Sequence, residues 1–176
     1  AEVARLLPEV EFVFVGGLDG FGGGGTRPDW RAERDAALAL ANVRRVGPVP
    51  QAEVAAHYWN FGVSWIPYAT DHAFNRASCP TKIMDSLASG RPVVSTDLPE
   101  CRLYPEWISI APTAAEAAAL MRRQLATLSE TAAQEKSRRQ VEFVRRHHTW
   151  AHRAEWLEER LTDEAKEPGG PRRELS

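Results

Sequence analysis

Lys82 and Asp85 stand three residues apart in the run Ala77-Ser-Cys-Pro80-Thr-Lys82-Ile-Met-Asp85-Ser-Leu-Ala-Ser-Gly90. Pro80 suits the first turn of a helix, Ser78 or Cys79 suits its cap, and Gly90 followed by Pro92 ends it. The spacing predicts a helix over 80–89, about ten residues and roughly 15 Å long. Ile83, Met84, Leu87 and Ala88 form its buried stripe, while Lys82 and Asp85 share another face. Backbone N–H groups left free at the helix start, with Lys82 in the first turn, make an anion site suited to a diphosphate. Asp85 lies about 7 Å further along the axis. That offset lets its carboxylate accept hydrogen bonds from ribose hydroxyls while the phosphates stay at the helix end. The alternative is a surface Lys82–Asp85 ion pair worth under ~1 kcal/mol, and the residues alone leave both readings open.

Other groupings are weaker. Gly20-Phe-Gly22-Gly-Gly-Gly25 matches G-x-G-x-x-G, the spacing that brings amides to a pyrophosphate. Thr26-Arg-Pro28 delays the following helix, however, and the next strand ends in Gly47 with no carboxylate for a ribose. A flexible surface loop is therefore preferred to a dinucleotide site. Asp97 and Glu100 follow a strand, but D-x-x-E before Leu103 reads as a helix capping box in preference to a sugar contact. His148 and His152 stand four apart, as two metal ligands on one helix would, yet no third ligand is near; solvated or packed histidines are expected. No D-x-D pair is present to hold a divalent cation against a diphosphate. No metal and no cofactor are expected.

The elements that must position these residues alternate. Glu11–Val15, Val43–Val46, Val63–Ile66, Pro92–Ser95 and Ile108–Ile110 are short, β-branched or aromatic runs that read as strands. Trp30–Ala41, Gln51–Tyr58, Pro80–Ser89 and Ala114–Leu128 carry apolar residues at helical spacing. Alternation of this kind predicts an α/β fold, a doubly wound, mainly parallel sheet covered on both faces. Ligands in such sheets bind beyond the carboxyl ends of the strands, so Gly47-Pro-Val49 and Tyr68 to Asn75 should line the crevice. Tyr68, Asp71 and His72 are then loop candidates for donor contact, against the alternative of ordinary solvated loop residues.

From Glu130 onward the pattern becomes long and polar, with Val141, Val144, Trp150, Ala154, Leu157 and Leu161 along one side. Residues 134–153 carry six basic and two acidic side chains, and 155–167 carry two basic and six acidic ones. The basic part suits an anionic membrane surface and suits a solvated helix face better. Pro168-Gly-Gly-Pro-Arg-Arg reads as disordered. Three segments are expected: 1–128 as a Rossmann-like domain, 129–162 as helices packing on or extending from it, and 163–176 as a disordered tail. Val3, Ala4, Leu6 and Leu7 read as the end of a helix already under way, which predicts further chain upstream.

The balance of 22 basic against 24 acidic side chains, a net of −2, excludes the basic excess of a dedicated nucleic-acid binder. No apolar run approaches the roughly 20 residues of a membrane span. Cys79 and Cys101, 22 residues apart, make neither a zinc knuckle nor a disulfide framework. A reducing cytoplasm is the expected location.

The 80–96 segment resembles the donor-binding helix and strand of GT-B fold glycosyltransferases of the group 1 type, with the pattern P-x-K-x-x-E-x-[LM]-A-x-G-x-P-V-V-[AS]-T. This sequence carries it as Pro80-Thr-Lys82-Ile-Met-Asp85-Ser-Leu-Ala88-Ser-Gly90-Arg-Pro92-Val-Val-Ser95-Thr96. Glu11 to Gly17, Asn42 to Gly47 and Phe61 to Pro67 resemble the family's strands, and Trp150 with the following helix resembles its terminal segment. Coverage is about residues 1 to 162. Many members bear E-x7-E, whose second carboxylate binds the donor ribose and whose first contacts the sugar. The second corresponds here to Asp85 and the first to Ala77, which has no carboxylate. The family's domain also begins with a strand and a turn that this sequence lacks, and its catalytic side chain usually comes from a separate N-terminal domain. In doubly wound order the lacking strand is central, between Glu11–Val15 and Val63–Ile66.

The resemblance implies the donor-binding half of a glycosyltransferase, inactive as a fragment. It implies a nucleotide-diphosphate sugar as donor and a saccharide or lipid-linked acceptor. Donor contacts fall to Val49 near the base, Tyr68 on the loop, Ser78, Cys79 and Lys82 at the phosphates and Asp85 at the ribose. The lack of a D-x-D pair adds the expectation of metal-independent transfer, and the basic part of the tail allows peripheral contact with the inner face of a membrane, where lipid-linked acceptors are found. The rival readings are a nucleotide-sugar epimerase of the same fold, which needs no acceptor, and a noncatalytic binding or interaction module. A dinucleotide-dependent oxidoreductase built on residues 20–25 ranks last.

Overall fold

A computed structural model describes residues 1–17 and 30–166. The glycine run Gly20–Gly25 and the tail beyond Lys166 lie outside the described residues. A short helix α1 (Glu2–Leu6) leads to strand β1 (Phe12–Val15), helix α2 (Trp30–Leu38) and strand β2 (Val43–Val46). Helix α3 (Gln51–Asn60), strand β3 (Ser64–Ile66), a short helix α4 (Ala73–Ala77), helix α5 (Thr81–Ala88) and strand β4 (Val93–Ser95) follow. A 3-10 turn (Cys101–Leu103) then precedes strand β5 (Ile108–Ile110) and helices α6 (Ala114–Ala126), α7 (Thr131–His147) and α8 (Trp150–Lys166).

All strand pairs are parallel, because each strand returns through a helix or turn to the same end of the sheet. The ladder is in two parts: β1 pairs with β2, and β3-β4-β5 pair in that order, with Ser64 opposite Val93 and Val93 opposite Ile108. Among the described residues no hydrogen-bonded ladder joins β1 to β3. The gap lies where doubly wound order predicts a further central strand. It is a slot of about 230 Å³ lined by Phe12 and Phe14 on one side and Trp65, Pro67 and Thr96 on the other.

Alternation along the strands divides the core. Ile66, Val93 and Ile108 face Ile83 and Leu87 of α5 and Val144 of α7. Trp65 and Val94 face Ala117, Ala118 and Met121 of α6 together with Leu7. Val93 and Val94 are both fully buried, as the middle strand of a sheet covered on two faces must be. Asn42 ties the β1-β2 unit down by donating through Nδ2 to the carbonyls of Ala4, Leu7 and Val10 at 2.9, 2.9 and 3.1 Å. Arg122 on α6 bonds Glu9 at 3.0 Å and the Leu6 carbonyl at 3.2 Å.

Several expectations shift. Helix α2 stops at Leu38 instead of Ala41, because the chain turns there to deliver Asn42 to those three carbonyls. The stretch 68–75, read as loop, contains the start of α4. Helix α8 runs on to Lys166, so 163–166 are helical where a disordered tail was expected. The apolar side of the C-terminal segment does not pack throughout. Val144 is buried, but Trp150, Leu157 and Leu161 are 79%, 51% and 59% exposed.

Helix α5 is held at its far end. Gly90 adopts φ +70°, which a residue with a Cβ adopts only with strain, and the turn lets the chain enter β4 at once. Buried Gln140 of α7 donates to the carbonyls of Leu87 and Arg91, both at 3.0 Å, which satisfies the helix end.

Candidate functional site

The carboxyl ends of β3 and β4 open onto the segments 67–72 and 96–100, with α5 between them in sequence. Pro80 is the N-cap of α5, with extended backbone and no side-chain cap hydrogen bond. The amides of Thr81 and Lys82 consequently have no helical partner, whereas Ile83 donates to the Pro80 carbonyl at 3.0 Å. The expected Ser78 or Cys79 cap does not form. Pro80 occupies the capping position, so both side chains fall too early, and each is bonded elsewhere. Ser78 Oγ donates to the Asn75 carbonyl at 3.2 Å, and Cys79 Sγ donates to Glu100 Oε1 at 3.2 Å.

Lys82 and Asp85 are both exposed on α5. Among the described residues they form no ion pair; the Lys82 ammonium instead donates to the Tyr68 hydroxyl at 3.3 Å and sits 5.8 Å from the centre of that ring. Partial burial pushes the Asp85 carboxyl above its usual range, with nearby Lys82 opposing the shift. Burial also raises Tyr58 of α3, which stands near Asp85 and bonds Ser86, so this tyrosine lines the Asp85 side of the helix. Sequence reasoning missed Tyr58, since its position at the end of α3 carries no motif.

Lys82, Asp85, Tyr68, Ser78 and Cys79 thus surround the first turns of α5. Val49 stands apart from them. It is half-buried in the segment after β2, just before Pro50 caps α3, on the smaller sheet. Asp71 and His72 are exposed, and His72 is the uncapping N-terminal residue of α4. Ala77 ends α4.

The expected capping box at Asp97 and Glu100 is absent. Asp97 is bound by Arg102, whose Nε and Nη2 donate at 2.6 and 2.5 Å and hold its carboxyl below the usual range. Glu100 instead accepts from Cys79 and from the Tyr104 hydroxyl, the latter at 3.4 Å. A capping box does form at Thr113 and Glu116, where α6 begins. His148 packs its ring on Phe143 and Tyr104, at 4.7 and 5.6 Å between centres, and burial lowers its pKa. His152 Nδ1 lies 2.6 Å from Thr149 Oγ1 at the start of α8. Among the described residues no three His, Cys, Asp or Glu side chains are grouped to hold a metal.

An uncapped helix start, a lysine turned toward the strand-end loop and an unpaired carboxylate further along together suit a phosphate-bearing ligand with hydroxyl groups. The profile of the glycosyl transferase-like family matches residues 1–159, and the chain belongs to that family. No curated protein matches the sequence. The α/β, Rossmann-like architecture with its helical C-terminal segment fits this membership. The class of chemistry is glycosyl transfer, in which a sugar passes to an acceptor. No helix among the described residues is long and apolar enough to cross a membrane.

Proposed function

We propose that the chain binds a nucleotide-diphosphate sugar at α5 and supports metal-independent transfer of that sugar to a saccharide or lipid-linked acceptor. The observation that carries this reading is the unpaired state of Lys82 and Asp85. The ammonium turns toward Tyr68 and leaves Asp85 free, whereas a surface ion pair would have consumed both. The diphosphate sits at the Thr81 and Lys82 amides, with Ser78, Cys79 and the Lys82 ammonium around it. The nucleoside diphosphate departs with its charge offset by that cation and by the helix start. Asp85 accepts hydrogen bonds from the ribose, Tyr68 positions Lys82, and Val49 lies toward the base.

Kinetics of Lys82→Ala and Asp85→Ala in the full chain test this. Loss of a charge-assisted hydrogen bond costs about 1.5–3 kcal/mol, so Asp85→Ala should raise the donor KM roughly 10- to 100-fold. Lys82→Ala should lower kcat by a similar factor. Wild-type kinetics in both variants would remove the assignment.

A further inference from the structure

We propose that Glu100 contacts the sugar of the donor, its unbonded carboxylate oxygen accepting hydrogen bonds from sugar hydroxyls; the proposal rests on the donor-site reading above. The direction of α5 sets the order of subsites. Asp85 lies about 6 Å along the axis from Thr81, and the unpaired amides are at the helix start. A ribose at Asp85 with phosphates at those amides sends the rest of the donor past the helix end. Cys79 stands there, with Glu100 Oε1 3.2 Å from its sulfur.

Glu100 reaches this position because β4 ends at Ser95 and the following segment runs over the same strand ends that open the crevice. Its protein partners occupy one oxygen only. Oε1 accepts from Cys79 Sγ and from Tyr104 Oη at 3.4 Å, and among the described residues no hydrogen bond reaches Oε2. Both donors hold their protons at neutral pH, since burial, reinforced by the Glu100 charge, raises the thiol and pushes the phenol up to about 12. A carboxylate accepts at both oxygens and donates nothing. The free oxygen therefore matches a ligand rich in hydroxyl donors, which a sugar is; Arg153, bonded to Cys79, offsets part of the carboxylate's charge, so the match rests on hydrogen-bonding and not on net charge. The other carboxylate of this segment is not available, because Arg102 binds both oxygens of Asp97.

Calorimetric titration of the full chain with UDP and UDP-glucose, GDP and GDP-mannose, and dTDP and dTDP-glucose tests the proposal. Wild type, Glu100→Gln and Glu100→Ala are compared. Both variants should bind the preferred nucleoside diphosphate as wild type does and its sugar nucleotide at least about tenfold more weakly. Equal weakening of the two ligands shows that Glu100 acts only by holding Cys79 and overturns the contact; unchanged affinity for both overturns it as well. In either case the donor site stands. A folded wild type that binds none of the six ligands overturns the donor-site reading, and this proposal with it.

Discussion

Gly90→Ala should destabilise the protein by about 2–4 kcal/mol, a figure that follows from two separate costs. At φ +70° a side chain enters the left-handed region, which costs about 1–2 kcal/mol. The added Cβ would also stand 2.5 Å from Ser137 Oγ, 3.0 Å from Val141 Cγ2 and 3.3 Å from the Ser137 carbonyl. The hydroxyl must leave its rotamer, and Val141 and the Ser137 carbonyl must give by a few tenths of an ångström, so the α5–α7 contact opens slightly, at a further ~1–2 kcal/mol borne mostly by the hydroxyl. Ser137→Ala removes the nearest atom. In the double variant it should restore about 1 kcal/mol, and alone it should be close to neutral. Urea denaturation followed by tryptophan fluorescence reads both, with the slope m unchanged if the transition remains two-state. A Gly90→Ala midpoint equal to wild type would refute the backbone argument, and strict additivity with Ser137→Ala would refute the steric one.

Gln140→Leu should cost about 1–3 kcal/mol, because it removes the Arg91 carbonyl's donor and leaves the Leu87 carbonyl only the Gly90 N–H at 3.1 Å; a stability equal to wild type in the same denaturation assay would contradict this. Hydrogen bonds from Arg145 first, and then Arg146, hold the exposed Glu142 carboxyl down at about 2, below its ordinary 4.5. A depressed carboxyl stabilises the fold above its unfolded pKa and loses that contribution as pH falls through the folded value. The difference in Tm between wild type and Glu142→Gln should accordingly be constant at neutral pH, shrink as pH drops from 4.5 toward about 2, and fade in high salt; a difference that grows on acidification would reverse the sign.

Local chemistry made the strands easy to read. Val43–Val46 and Ile108–Ile110 stand where their β-branched runs predict, and Pro92 is excluded from β4 because its ring has no N–H to give, although its carbonyl accepts from Ser64 at 2.8 Å. Caps were harder, since similar patterns have different outcomes. Thr113-x-x-Glu116 caps its helix, while Asp97-x-x-Glu100 does not, because Arg102 and Cys79 reach those carboxylates first. That competition is tertiary and leaves no trace in local spacing. Helix α4 is only five residues, too short for a periodic signal. Of the site, the Lys82–Asp85 face of α5 was visible from the helical period, but the choice between an ion pair and two separate groups depended on Tyr68, 14 residues earlier. Tyr58 and the Glu100 cluster come from other elements and become neighbours only on folding.

Thermal unfolding of the folded protein with nucleoside diphosphates tests for a donor site on α5. A ligand at 100 times its Kd stabilises the native state by about 2.7 kcal/mol. A clear rise in Tm with one of UDP, GDP or dTDP is expected, largely lost in Asp85→Ala and in Lys82→Ala. No rise with any of the three, or a rise that persists undiminished in both variants, would contradict a donor site on α5.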